Sequence, residues 1–350
     1  MRMLLLMYTY RSVAILRRQS LGFIGLGQMG LNMADNLFTR TATAYSEDGS
    51  NPPLFVVCDV NKITADTFAH DVATRFPGVL VEVADSPSDV AQRANTIFTM
   101  LPSSPQVKDV YLGDRGILQG ISKRSGRVES LYVDSTTLDV TVARDVAAQV
   151  EATGGDMVDA PVSGGVVGAR AGTLSFMVGG SEHGFKRAHP FLSHMGRNIV
   201  HCGPSGSGLT AKICNNLVLG VQQIVVAEAM LLGTRLGLSP DVLAGVINTS
   251  TGRCWSSEVN NPVPGALPGK SPPCEREFHG GFASKLMQKD MALAQHAAST
   301  AGTPLPLGDA AQSIYTQMNE NSTDGALKFA DRDFSVVYEY LRRQATKTEL

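Results

Sequence analysis

Apolar positions in the first part of the chain come as short solid runs, each followed by a turn rich in glycine or hydroxyl residues. Leu21–Ile24, Leu54–Cys58, Thr96–Leu101, Leu131–Val133 and Asn198–Cys202 are such runs. Between them lie stretches with helical spacing, such as the one from Ser104 and Val140–Thr153. Runs this short and this continuous suit strands buried on both faces, and their alternation with helices predicts a parallel sheet covered on both sides. After Pro204 the pattern changes. No proline occurs until Pro240, and Gly206–Glu228 reads as one long helix. Beyond it, helical spacing recurs at Leu238–Asn248, Phe282–Ala298, Leu307–Glu320 and Phe334–Arg343, with an irregular, proline-rich stretch after Ser250.

The turn after the first run is Gly25-Leu26-Gly27-Gln28-Met29-Gly30, placed between a strand and an amphipathic helix. Glycines at these positions permit a tight turn, close approach of a pyrophosphate and tight helix–strand packing, with the phosphates on the helix N-terminus. Asp59 ends the second run. A carboxylate there accepts hydrogen bonds from ribose hydroxyls and repels a 2′-phosphate, which favours NAD over NADP; Lys62 is the one nearby cation. The spacing from Gly30 to Asp59 exceeds the usual interval of about 20 residues. Thr41–Pro53, polar and containing Gly and Pro, reads as a loop insertion that accounts for the excess. The predicted fold is an α/β Rossmann-type domain over 21–203 and an all-α C-terminal domain over 204–350, joined by the long interdomain helix.

Three further groups carry chemistry. Lys212 and Asn216 are four residues apart on the long helix and share one face of its first turns, within largely apolar surroundings. A lysine there is paired or loses proton affinity by desolvation, which suits it to proton transfer near neutral pH. Ser163-Gly164-Gly165 offers consecutive backbone N–H groups and a hydroxyl to a carboxylate. Asp134-Ser135-Thr136-Thr137 places hydroxyls at the carboxyl end of a strand, the edge where α/β sheets bind ligands. By local pattern alone, Lys289 is a solvated lysine at a helix start beside Asp290.

Composition narrows the class. The 350 residues carry a net charge of −2, with 43% apolar and 18% charged residues, which suits a soluble globular protein with no nucleic-acid or membrane partner. Five cysteines, odd in number and far apart, point to free thiols in a reducing compartment, and neither they nor the histidines show metal-ligand spacing. Residues 1–20 hold four arginines and no acidic residue, the pattern of a mitochondrial transit peptide, and predict a matrix location. The long helix has more apolar surface than one small helical domain covers, which predicts a homodimer or homotetramer.

Taken together, GFIGLGQMGLNMADNL, FTMLPSS, VDSTT, DAPVSGGVVGARAGTLSFMVGG, GLTAKICNN, STGRCWSSEVNNPVPG, GGFASKLMQKDMALA and DFSVVYEYL resemble the motifs of the β-hydroxyacid dehydrogenases. The likeness runs from about Leu21 to Leu341, and the Cys-Trp-Ser-Ser and Asn-Pro-Val-Pro-Gly segment narrows it toward the branch acting on 3-hydroxyisobutyrate. The resemblance implies an NAD-linked oxidation of a small hydroxy acid, with Lys212 as general acid/base and Asn216 as its hydrogen-bonding partner. It implies that Ser163, Gly164 and Gly165 hold the substrate carboxylate and that Ser135 touches substrate. It also implies that Leu101, Pro102, Thr137 and Lys289 line the cofactor. Gln106 stands where the family often has Asn. Tartronate semialdehyde and glyoxylate/succinic semialdehyde reductases share the superfamily, but Asp59 argues against its NADPH-linked members. Non-catalytic nucleotide-binding relatives usually lose the lysine that this chain keeps.

Overall fold

The computed structural model describes residues 20–48, 52–124, 129–320 and 328–347, so the Arg-rich leader up to residue 19 lies outside them. The strands are β1 (Ser20–Ile24), β2 (Leu54–Cys58), β3 (Leu80–Val83), β4 (Thr96–Thr99), β5 (Leu131–Asp134), β6 (Asp156–Asp159), β7 (Val162–Ser163), β8 (Leu174–Gly179) and β9 (Gly196–Gly203). The helices of the first half are α1 (Gly30–Asp48), α2 (Lys62–Arg75), α3 (Pro87–Arg93), α4 (Ser104–Leu112), α5 (Ile117–Ser122), α6 (Val140–Glu151), α7 (Gly165–Ala171) and α8 (Glu182–Leu192). Those of the second half are α9 (Ser207–Arg235), α10 (Pro240–Thr249), α11 (Trp255–Glu258), α12 (Ser284–Ala301), α13 (Pro306–Glu320) and α14 (Val337–Lys347).

Strands β3-β2-β1-β4-β5-β6 are parallel neighbours in that order; β8 lies antiparallel to β6 and β7, and β9 runs parallel beside β8. The parallel part is the doubly wound order whose ligand crevice opens where β1 and β4 diverge. Alternate strand positions serve opposite layers, as the two-residue period of a strand requires. Leu131 and Val133 pack with residues of α1, α2, α7 and α8, whereas Tyr132 packs with α3, α4, α5 and α6. The exposed pair Lys62–Asp85 ties the start of α2 to the loop after β3.

Two expectations need correction. The first part of Thr41–Pro53 is not a loop: α1 continues to Asp48, so Thr41–Asp48 forms two further helical turns, and residues 49–51 lie outside the described residues. Ala42 is buried in the sheet's core, and Thr41 and Thr43 bond back to the carbonyls of Leu37 and Thr39, which reconciles this hydroxyl-rich sequence with a helix. The long helix also outruns its expected end, reaching Arg235.

Helix α9 belongs to both halves. Leu209 packs under the sheet, while Ile224 and Ala227 join Met287, Met291 and Tyr315 of α12 and α13. Gly220 makes that crossing close: a Cβ there would lie 2.7 Å from Met291 Sδ, and its carbonyl accepts the Tyr315 hydroxyl. By length and composition α9 could cross a membrane, yet it carries buried Lys212, Asn216 and Gln223 and packs against sheet and helices alike.

Candidate active site

The glycine turn has the geometry its sequence requires. Gly25 has φ +96°, and a Cβ on it would meet Met100 O at 2.3 Å; one on Gly30 would meet Gly25 O at 1.9 Å. Gly27 differs: nothing lies within 4 Å of the place its Cβ would take. Gly27 and Gln28 are exposed, Met29 is half-buried and Leu26 is buried. The open space therefore lies at the second glycine, the position a dinucleotide-binding turn keeps free for close approach of a phosphate group. Asp59 braces the turn: its two carboxylate oxygens accept the N–H groups of Leu26 (2.6 Å) and Asn61 (2.7 Å). Lys62 pairs with Asp85 at 2.9 Å.

The loops after β4 and β5 are joined from below by a buried carboxylate. Asp134 Oδ1 accepts the Thr99 hydroxyl and the Thr136 N–H, and Thr136 Oγ1 in turn accepts the Leu101 N–H. Burial pushes the Asp134 carboxyl up to about 6. The Ser135 hydroxyl beside it is buried without a partner, an orphan of the kind a ligand satisfies. Gln106 is exposed and its amide oxygen accepts the Ser103 hydroxyl at 2.6 Å.

Lys212 is only 6% exposed, with no direct ion pair among the described residues. Loss of hydration lowers its proton affinity; Asp290 raises it again and Lys289 lowers it further. Asn216, one turn on, is buried and donates its amide to Asp290 Oδ2 at 2.6 Å. Burial raises the Asp290 carboxyl, against the pull of Lys289 and Lys212, and its Oδ1 has no hydrogen-bond partner. Asp290 is thus a member of the site that local sequence did not mark. Lys289, expected at a helix start, sits in the second turn of α12, which begins at Ser284; its side chain is partly buried and its Nζ lies 3.7 Å from Asp290 Oδ1. Its ammonium donates to the carbonyls of Thr137 (2.9 Å) and Pro102 (3.3 Å), bolting α12 to the sheet's ligand edge.

Ser163, Gly164 and Gly165 lead from β7 into α7, with φ +130° and +59° at the two glycines and no side-chain cap on the helix. The link is short, because β7 follows β6 after only Ala160 and Pro161. Among the described residues no group of three His, Cys, Asp or Glu side chains is placed to hold a metal ion.

A doubly wound sheet, a glycine turn with open space at its second glycine, and a buried lysine define a dinucleotide-linked oxidoreductase. Residues 20–203 match the NAD binding domain of 6-phosphogluconate dehydrogenase, and 206–341 match the domain described as NAD-binding of NADP-dependent 3-hydroxyisobutyrate dehydrogenase. A probable mitochondrial 3-hydroxyisobutyrate dehydrogenase from Dictyostelium discoideum is 44% identical over 97% of this chain and 96% of its own. The mitochondrial 3-hydroxyisobutyrate dehydrogenase of Rattus norvegicus is 45% identical over 93% and 88%. Among solved structures, the Mycobacterium tuberculosis 3-hydroxyisobutyrate dehydrogenase with L-serine is 38% identical, with a TM-score of 0.79 over 93% of this chain and 99% of that one. The chain belongs to the 3-hydroxyisobutyrate dehydrogenase family of NAD(P)-linked oxidoreductases.

Proposed function

We propose that this protein oxidises 3-hydroxyisobutyrate to methylmalonate semialdehyde with NAD, in the mitochondrial matrix, as a step of valine breakdown. The observation that carries the reading is the buried, desolvated Lys212 held one turn from the Asn216–Asp290 pair. The open space at Gly27 and the unpartnered Ser135 hydroxyl suit a dinucleotide along the β1–β4 crevice. NAD, when bound, supplies the acceptor for the hydride that leaves the carbinol carbon.

The chain does the rest. Gly25 to Gly30, through Leu26, Gln28 and Met29, bind the pyrophosphate; Asp59 binds the adenosine ribose and disfavours a 2′-phosphate. Leu101, Pro102, Gln106, Thr137 and Lys289 line the nicotinamide half. Ser163, Gly164 and Gly165 hold the substrate carboxylate, and Ser135 bonds the substrate from the opposite loop. Lys212 Nζ, neutral at that moment, takes the hydroxyl proton; in reverse its ammonium returns the proton to the alkoxide. Asn216 orients the lysine and the hydroxyl without titrating, and Asp290 fixes Asn216. The functional division is 21–203 for the dinucleotide and 204–350 for the lysine-bearing helical part, behind a leader at 1–20. The working form is a homodimer or homotetramer, supported by bare aliphatics on α9. The test of cofactor choice is initial rate with NAD against NADP: preference for NAD supports the Asp59 assignment, and equal use of NADP contradicts it.

A further inference from the structure

Helix α9 begins without a cap of its own. Its N-cap is Gly206, in the left-handed region at φ +85°, and has no side chain to offer the first N–H groups. The cap comes instead from the last residue of β6. Asp159, 4% exposed, accepts the Gly206 N–H on Oδ1 at 2.7 Å and the Leu209 N–H on Oδ2 at 2.9 Å. Two glycines make room for it: a Cβ on Gly179 would lie 2.4 Å from Asp159 Oδ1, and one on Gly208 would lie 2.9 Å from Asp159 Oδ2. A local Ser or Asp cap would fix the helix only to itself, whereas this one fixes it to the sheet. Lys212 follows Leu209 by three residues, and Ser163 follows Asp159 by four along the short link through Ala160 and Pro161.

We propose that Asp159 is a positioning residue, whose carboxylate sets the distance between Lys212 and the Ser163–Gly165 segment by docking the start of α9 onto the carboxyl edge of the sheet. The proposal rests on the reading of Lys212 and Ser163–Gly165 given above. An ordinary helix cap affects stability; a positioning residue also affects the chemistry of molecules that remain folded. Asparagine keeps one acceptor but turns an NH2 toward the second N–H, so Asp159→Asn should free one side of the docking.

The test measures kcat per folded molecule, NADH affinity by fluorescence titration, and amide hydrogen exchange over residues 206–214. For Asp159→Asn, kcat should fall by about 10- to 100-fold, the loss typical of a misplaced reacting group. NADH affinity should hold, and exchange should quicken over 206–214 while staying slow over the buried middle of α9. Should that variant not fold, Asp159→Glu, which keeps the charge but lengthens the arm, carries the same measurements and the same expectation. Unchanged kcat with unchanged exchange would overturn the proposal. So would quickened exchange with full kcat, which leaves Asp159 a cap and nothing more. If the wild-type protein oxidises no hydroxy acid, the functional reading fails; exchange in the variant still decides the docking.

Discussion

At the scale of residues, the chemistry turns on one lysine between two charges of opposite sign. Oxidation needs neutral Lys212, so its rate should rise with pH through the lysine's lowered pKa and fall away on the acid side. Asp290 raises that pKa, so Asp290→Asn, which can still accept the Asn216 amide, should move the acid limb of kcat to lower pH. Lys289 lowers it, so Lys289→Met should move the limb to higher pH. Paired pH–rate profiles check both, and shifts in the same direction would contradict the charge arrangement. Lys212 and Asn216 were legible in the sequence because four-residue spacing on a helix puts them side by side. Asp290 and Asp159 were not, because each meets its partner only through tertiary folding, 74 and 47 residues away in sequence. Local pattern alone gave Lys289 as a solvated lysine for the same reason, since its acceptors, Pro102 O and Thr137 O, belong to the other half of the chain; only the family resemblance set it beside them.

At the scale of elements, solid apolar runs and the glycine turn revealed β1, β2, β4, β5 and β9, while β3, β6, β7 and β8 went unmarked. Strand β3 is half-exposed and so has no solid run to show. Helix α1 was cut short by its Thr-rich end, where back-bonded hydroxyls conceal a helix from a reading by residue type. The buried carboxylate at the end of β5 makes an element-level prediction. Asp134 has a folded pKa of about 6 against an ordinary 3.8, so its favourable contribution is complete below 3.8 and is lost as pH rises through about 6. Asp134→Asn keeps both bonds that Oδ1 now accepts and should remove that part of the slope of stability between these values. Urea denaturation across the window checks this; an unchanged slope would place the titration elsewhere. A second prediction concerns Asp333, whose carboxylate joins Asn260, Phe282 and Ser335 and so ties the proline-rich stretch to the C-terminal helices. Asp333→Ala leaves those donors unpaired and should cost at least about 1–3 kcal/mol in chemical denaturation.

At the scale of the whole molecule, the bare face of α9 matters most. Val218, Val225 and Leu232, seven residues apart, are each about half-exposed or more, and Leu236, Val242 and Val246 continue the apolar surface onto α10. A contiguous apolar stripe of this kind calls for a partner surface. Val225→Asp together with Leu232→Asp should lower the sedimentation coefficient to that of a monomer; an unchanged value would place the interface elsewhere. The pairing of a sheet-borne dinucleotide cradle with a helix-borne lysine was legible from the order of motifs, but the bolts between the halves were not. The central claim is that Lys212 moves the proton in an NAD-linked oxidation of 3-hydroxyisobutyrate. The most direct measurement is steady-state oxidation of both enantiomers of 3-hydroxyisobutyrate, L-serine, glycerate and 4-hydroxybutyrate by the wild-type protein and by Lys212→Ala. The account predicts preference for one 3-hydroxyisobutyrate enantiomer and a loss of about 10²- to 10⁴-fold in kcat in the variant, the range for a general acid/base. Preference for glycerate or 4-hydroxybutyrate would contradict the substrate assignment, and activity that survives the loss of Lys212 would contradict the mechanism.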